Sequence, residues 1–167
     1  MVDRNGLLVT DPAAQGVLTL TYSSTSGAIQ NSVLTQTNQS VVRGICWSAY
    51  SPTVDNYYVV GEESTPGFVE LNLNLASTSN PVSIIRYYQI STNVGALDPT
   101  IVTVAGVDYL YVIETVGAVI TSYRLDGPGN AVFLEQVAIP EVPSNAPRLE
   151  GIAAYVQTHW RSRDYQG

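Results

Sequence analysis

The 167-residue chain carries seven arginines, no lysine and fourteen carboxylates, giving a formal net charge of −7. Because this charge would repel a phosphate backbone, we expect no nucleic-acid partner. Apolar residues make up 45% of the chain, enough for a globular core, but no apolar run approaches the roughly 20 residues of a membrane-spanning helix, so we expect no membrane partner. The first residues mix acidic and basic side chains, unlike a secretory leader, and the compartment stays open.

Three segments of the chain resemble one another. Segments 6–11, 57–62 and 109–114 align at offsets of 51 and 52 residues, and this alignment makes Asp11, Glu62 and Glu114 equivalent. A short loop, a glycine and a second alternating strand follow each segment. A period near 50 residues that consists only of strands and turns is typical of a β-propeller, in which each repeat is one four-stranded blade.

Apolar residues alternate with a period of two and predict strands and turns throughout, without a helix. The predicted strands, in chain order, are 7–10, 17–22, 32–36, 45–51, 57–60, 68–73, 82–90, 100–104, 109–113, 118–125, 131–139 and 151–156. Twelve strands make three blades, although the first three strands lack an innermost partner and the last lacks three outer ones. The fold class is therefore all-β: a partial β-propeller over residues 1–157, followed by an irregular tail over residues 158–167.

Three blades do not close a ring, since propellers typically have about four to eight. We expect half of a six- or seven-bladed propeller with two exposed strand edges, which would template pairing with another chain. The chain is then a homodimer subunit or a fragment of a longer chain.

Four sequence runs follow one another as in fungal proteins called 3-carboxymuconate cyclase-like or lactonase-like. They are CWSAYSP at 46–52, NYY at 56–58, YLYV at 109–112 and DGPGNA at 126–131. The chain resembles the C-terminal half of those proteins, and the resemblance implies a β-propeller fold. The lactonizing enzymes of that fold use arginine, histidine and glutamate at one mouth of the propeller. No such motif matches here residue by residue, so no catalytic position carries over.

Charged residues recur where the loops of a propeller share one face. These candidate ligand-mouth residues are Asp11, Arg43, Glu62, Glu63, Asp98, Glu114 and Arg148. Such a mouth could bind a small organic acid or lactone, supply a general acid–base pair for lactone chemistry, or hold a hard cation. The alternative is that these carboxylates only end strands and cap turns. His159 lies in the tail, on what should be the opposite face, and is an unfavourable catalytic candidate.

Two functions remain open. The first is a scaffold or small-metabolite-binding protein that has a propeller without a complete active site. The second is a lactonase- or cyclase-type enzyme acting on a small organic acid or lactone, with no cofactor and no metal expected. The absence of a matched histidine–arginine–glutamate set favours the first.

Overall fold

The structure, a computed structural model, describes residues 5–37, 42–63, 67–77, 79–90, 95–114, 118–140 and 151–154. Within these residues the chain forms eleven β-strands and no helix, so the all-β prediction is confirmed. The strands are β1 (Gly6–Asp11), β2 (Gly16–Tyr22), β3 (Ile29–Gln36), β4 (Arg43–Ser51), β5 (Asn56–Glu63), β6 (Gly67–Leu73), β7 (Val82–Gln89), β8 (Ala96–Val104), β9 (Val107–Glu114), β10 (Val119–Leu125) and β11 (Ala131–Ala138).

The strands form three antiparallel sheets, in each of which strands that are consecutive in sequence pair. Sheet 1 has the order β1-β2-β3, sheet 2 the order β4-β5-β6-β7 and sheet 3 the order β8-β9-β10-β11. A two-residue turn joins β8 to β9 and places Ala105 and Gly106 at φ values of 50° and 82°. Two successive positive φ values suit the two-residue hairpin whose twist matches that of its strands.

The twelfth predicted strand, 151–156, is wrong over the residues that the structure describes. Residues 151–154 belong to no strand. Gly151 lies in the left-handed region at φ 87°, and the amide of Ile152 donates to the side chain of Asp98 rather than to a strand backbone. Residues 155 and 156 and the tail 158–167 lie outside the described residues.

The sheets stack in sequence order. Strand β1 lies against β4, and both β4 and β5 lie against β8. The first strands of sheets 2 and 3 bulge at equivalent points, between Ile45 and Trp47 in β4 and between Ala96 and Asp98 in β8. A shared bulge identifies equivalent residues of the two sheets more securely than sequence similarity does, because it fixes the register of pairing.

The bulges correct the repeat alignment by one residue. Ile45 pairs with Gly61 on one side of its bulge, and Ala96 pairs with Glu114 on the same side of the other. Glu114 is thus equivalent to Gly61 and not, as the sequence suggested, to Glu62. Asp11 is also equivalent to Gly61, since both pair with the glycine that opens the next strand. The alignment slipped because five residues separate the paired Gly61 and Gly67, whereas four separate Asp11 from Gly16 and Glu114 from Val119.

With this correction, Leu8, Tyr58 and Tyr111 occupy equivalent positions. We call the face of each sheet that carries this residue its leading face, and the opposite face its trailing face. Leu8 packs against the core between sheets 1 and 2, and Tyr58 belongs to the core between sheets 2 and 3. The leading face of sheet 1 therefore packs on the trailing face of sheet 2, and the leading face of sheet 2 packs on the trailing face of sheet 3.

Two hydrophobic cores fill the spaces between the sheets. The core between sheets 1 and 2 is largely aliphatic and contains Val17, Val42, Ile45, Val59, Val69, Leu71, Leu73 and Val82. The core between sheets 2 and 3 is aromatic around Phe68, whose ring stacks on Tyr88 at 4.5 Å and meets Tyr123 edge to face at 5.1 Å. Such aromatic pairs add about 0.5–1.5 kcal/mol each to the free energy gained by burial.

Candidate functional site

The predicted mouth residues that the structure describes lie at one end of the stack, where β1, β5 and β9 end and β4 and β8 begin. We call this the mouth end. Arg43 pairs with Glu63 across the β4–β5 ladder, as Ala96 pairs with Glu114 across β8–β9. The amide of Gly44 donates to the side-chain oxygen of Gln15 at 3.0 Å, which brings the β1–β2 turn to the start of β4.

Two of the mouth-end carboxylates accept hydrogen bonds from the chain's own backbone. Asp11 Oδ1 accepts from the amide of Ala14 at 2.9 Å and so caps the turn that follows β1. Asp98 Oδ2 accepts from the amide of Ile152 at 2.9 Å. Both contacts agree with the alternative interpretation of these residues as turn and segment caps.

Glu114 is fully buried and faces the chain's interior. The Thr121 hydroxyl donates a very short hydrogen bond to Glu114 Oε1, and Gln136 Nε2 donates to the same oxygen at 2.8 Å. Gln136 Nε2 also donates to Thr121 Oγ1 at 3.1 Å, which closes a small network across β9, β10 and β11. Glu114 is thus a structural acceptor on the trailing face of sheet 3.

The remaining mouth candidates are less well placed. Glu62 and Glu63 lie within β5, but their side chains are outside the described part of the structure, while Arg43 is exposed at the start of β4. Arg148 and the tail histidine His159 lie outside the described residues. The described mouth carboxylates share one end of the stack, and each has its own set of donors.

Within the described residues, a dense polar cluster surrounds Glu70 in the middle of β6 and extends to the end of the strands opposite the mouth end, where β5 begins. Glu70 is fully buried and accepts from Asn56 Nδ2 at 2.6 Å and from the Tyr88 hydroxyl at 2.8 Å. The amide of Gly129 donates to both of its oxygens at 3.0 Å. Since Gly129 belongs to the β10–β11 turn, one carboxylate of sheet 2 fixes a turn of sheet 3. We call these four residues the Glu70 network.

Further contacts extend the Glu70 network. Asn72 Nδ2 donates to Asn56 Oδ1 at 2.7 Å, and Arg86 Nη1 donates to the Gly129 carbonyl at 2.9 Å. The guanidinium of Arg86 also lies over the Tyr88 ring, 5.2 Å from its centroid. Arg86 thus contacts both Gly129 and Tyr88, two of the residues that donate to Glu70.

Asp108 forms the reciprocal contact from sheet 3 to sheet 2. This buried carboxylate accepts from the hydroxyls of Ser51 and Thr103, each at 2.5 Å, and from the amide of Thr53 at 3.0 Å. Burial alone would raise the pKa of Asp108, but the hydrogen bonds from Ser51, Thr103 and Thr53 outweigh it and hold the pKa below its ordinary value. Asp108 therefore stays ionised at neutral pH and holds the β4–β5 turn.

Three tyrosines of the aromatic core have raised pKa values. Burial raises the pKa of Tyr88 and of Tyr123 to about 12, with Glu70 and Glu114 respectively adding to the effect. Burial, followed by the charge of Glu70, raises the pKa of Tyr58 still further. The Tyr58 hydroxyl is buried beside Glu70, its partner across the β5–β6 ladder, but no group lies in hydrogen-bonding geometry with it within the described structure. All three stay neutral at physiological pH.

Sequence reasoning missed Glu70 and Asp108 because it searched only the strand ends that form the mouth. One signal was present: Glu70 interrupts the run Phe68, Val69 and Leu71 in mid-strand. A carboxylate at the centre of an apolar strand must find donors, because an unpaired buried charge is very costly. Asp108 gives a weaker signal, since it stands next to a turn, where aspartate is common.

No protein-family model matches the chain, and no curated protein matches it. In the seven stretches that the structure describes, no group of three or more histidine, cysteine, aspartate or glutamate side chains could hold a metal ion. Over the same stretches, no helix is long and apolar enough to cross a membrane.

Proposed function

We propose that the chain is a propeller-type scaffold of three blades, built to bind or assemble rather than to catalyse. The stacking of equivalent sheets, each leading face on the next trailing face with first strands β4 and β8 adjacent, supports the propeller assignment. In this assignment sheet 1 is a blade without its innermost strand.

The observation that carries the scaffold function is how the buried carboxylates are used. Glu70, Asp108 and Glu114 each accept two or more hydrogen bonds from the chain's own donors, and two of them tie one sheet to a turn of its neighbour. A general acid or base must instead reach a substrate proton. These groups stabilise the stack, and any ligand, such as a small organic acid, would bind at the exposed mouth end beside Arg43.

A turnover screen separates this scaffold from the lactonase- or cyclase-type alternative. Lactone hydrolysis and muconate cyclization would be measured for the wild type and for Glu62→Gln, Glu114→Gln and the exposed control Glu135→Gln. We expect no turnover above buffer for any of them, and a lower melting temperature for Glu114→Gln alone. Turnover by the wild type that is lost in a folded Glu62→Gln or Glu114→Gln variant, but kept in Glu135→Gln, would show an enzyme.

A further inference from the structure

The trailing face of sheet 1 is an uncovered aliphatic surface. Leu7 pairs with Leu20 and Val9 with Leu18, and Leu18 pairs in turn with Leu34, so all five side chains lie on one face. Leu7 is 53% exposed and Val9 is 43% exposed. We call these five residues the aliphatic face. Large contiguous apolar patches of this kind mark interaction sites more often than chance.

The equivalent faces of the other two sheets are covered. By register, Val9 corresponds to Val59 in sheet 2 and to Val112 in sheet 3. Val59 is buried against sheet 1, and Val112 is buried against sheet 2. In both cores the neighbour is a leading face, contributing Val17 in the first and Phe68 in the second. The chain thus packs a trailing face on a leading face twice, between sheets 1 and 2 and between sheets 2 and 3. The aliphatic face is a third trailing face of the same kind.

The other half of that interface lies at the far side of the stack. The leading face of sheet 3 carries Tyr111, Ile113, Ile120 and Val137, and the register makes Ile120 equivalent to Val17 and Phe68. Val137 is 52% exposed and Tyr111 and Ile120 are half-buried, while Ile113 is buried. No fourth sheet within the described residues packs on this face.

The backbone shows a second complementarity. Among the described residues, sheet 1 has no strand equivalent to β4 or β8, and β1 is its edge strand. Residues 151–154 lie at the leading face of sheet 3, because Ile152 bonds to Asp98 and Asp98 pairs with Ile113 of that face. Residues 151–154 thus contact β8, and β8 in turn lies beside β4. Residues 151–154, which belong to no sheet, thus lie beside sheet 3. Sheet 1, on the far side of the molecule, lacks a first strand within the described residues.

We propose that a second copy of this chain covers both end surfaces. The aliphatic face of each copy packs on the leading face of sheet 3 of the other, and residues 151–154 of one copy lie along β1 of its partner. A two-fold axis makes both contacts at once, so the assembly closes as a dimer. The inference goes beyond the scaffold function, which stands whether or not the dimer forms.

The mass in solution tests the dimer. Sedimentation velocity of the full chain should give twice the 18.0 kDa of one chain. The double variant Leu7→Glu, Val9→Glu should sediment as one chain with an unchanged far-ultraviolet circular dichroism spectrum. The control Phe133→Glu changes a residue that is 57% exposed but lies on the trailing face of sheet 3, and it should remain a dimer. A wild type that sediments as a monomer would overturn the proposal.

Disulfide trapping tests the geometry and does not depend on the folding of the glutamate variant. In a Cys46→Ser background, a Val9→Cys chain would be mixed with an Ile120→Cys chain under mild oxidation. We expect a cross-linked dimer in the mixture and none from either chain alone, because Val9 of one copy meets Ile120 of the other. Cross-linking of Val9→Cys to itself, or no cross-link in a mixture that sediments as a dimer, would refute this arrangement.

Discussion

The two interfaces between the sheets are built differently. Sheets 2 and 3 meet through an aromatic core flanked by two buried carboxylates, Glu70 and Asp108, that bind across the interface in opposite directions. Sheets 1 and 2 meet through an aliphatic core with neutral contacts, such as the bond from the Thr10 hydroxyl to the Cys46 carbonyl. At this second interface the buried Thr19 hydroxyl has no hydrogen-bond partner within the described structure.

The difference shows which of the two interfaces requires one exact relative position of its sheets. An aliphatic core stabilises any close approach of two sheets, because the hydrophobic effect has no direction. A buried carboxylate tolerates only the position that supplies its donors, since leaving it unpaired is very costly. Sheets 2 and 3 are thus fixed to each other in register and tilt, and the contact between sheets 1 and 2 has more freedom.

The largest effect is expected from Glu70→Leu, which preserves volume but removes the acceptor of the Glu70 network. Asn56 Nδ2, the Tyr88 hydroxyl and the Gly129 amide would then be buried without Glu70 as their partner. Because each orphaned donor costs about 1–3 kcal/mol, we expect the free energy of unfolding to fall by roughly 3–5 kcal/mol. Urea denaturation at pH 7 measures this change.

The control for this experiment is Glu135→Leu in β11. Glu135 is exposed, and its substitution should change the free energy of unfolding by no more than about 0.5 kcal/mol. Equal losses for Glu70→Leu and Glu135→Leu would mean that the buried carboxylate does not hold sheets 2 and 3 together.

A smaller, pH-dependent effect is expected from Asp108→Asn. At pH 7 the loss of the charged acceptor for Ser51, Thr103 and Thr53 should lower the free energy of unfolding by about 2 kcal/mol. Since the folded-state pKa of Asp108 lies below its unfolded-state value, near 3.9, the contribution is present above that pH. It is lost as the pH falls through the folded-state pKa.

The difference between the wild type and Asp108→Asn should therefore shrink when unfolding is measured in a series from pH 7 down to pH 2. The matched control is Asp126→Asn, an exposed carboxylate paired with Arg124 at 2.6 Å, whose loss should hardly affect stability. A difference between wild type and Asp108→Asn that stays constant through this series would contradict the ionised state assigned to Asp108.

The strands could be predicted from the sequence because alternation is a local property. Their faces could not, since in a strand a shift of one residue moves every side chain to the opposite face. Aligning Glu62 with Glu114 is such a shift, and it would place Tyr58 with Leu110 rather than with Tyr111. The correct alignment follows only from the strand pairing, including the bulges at Cys46 and Leu97.

The candidate site shows the same limit. Asp11, Asp98 and Glu114 were expected at one end of the sheets from strand topology alone, and the structure places them there. Their donors could not be predicted, because Gln136 and Ile152 are distant in sequence from the carboxylates that they bind. The Glu70 network likewise depends on a turn 59 residues away, at Gly129.

The smallest effects are expected from removing two tyrosine hydroxyls of the aromatic core, of which one makes hydrogen bonds and the other makes none. Tyr88→Phe removes the hydroxyl that donates to Glu70 at 2.8 Å and accepts from the Ala131 amide at 3.2 Å. We expect the free energy of unfolding to fall by about 1–2 kcal/mol.

Tyr58→Phe removes a buried hydroxyl that makes no hydrogen bond in the described structure. Its desolvation cost therefore disappears, and the free energy of unfolding should stay level or rise by up to about 1 kcal/mol. Thermal and urea unfolding of both variants checks the contrast, since they delete the same atom from rings in the same core. If Tyr58→Phe cost as much as Tyr88→Phe, its hydroxyl would have a partner, and the Glu70 network would be larger than the four residues assigned to it.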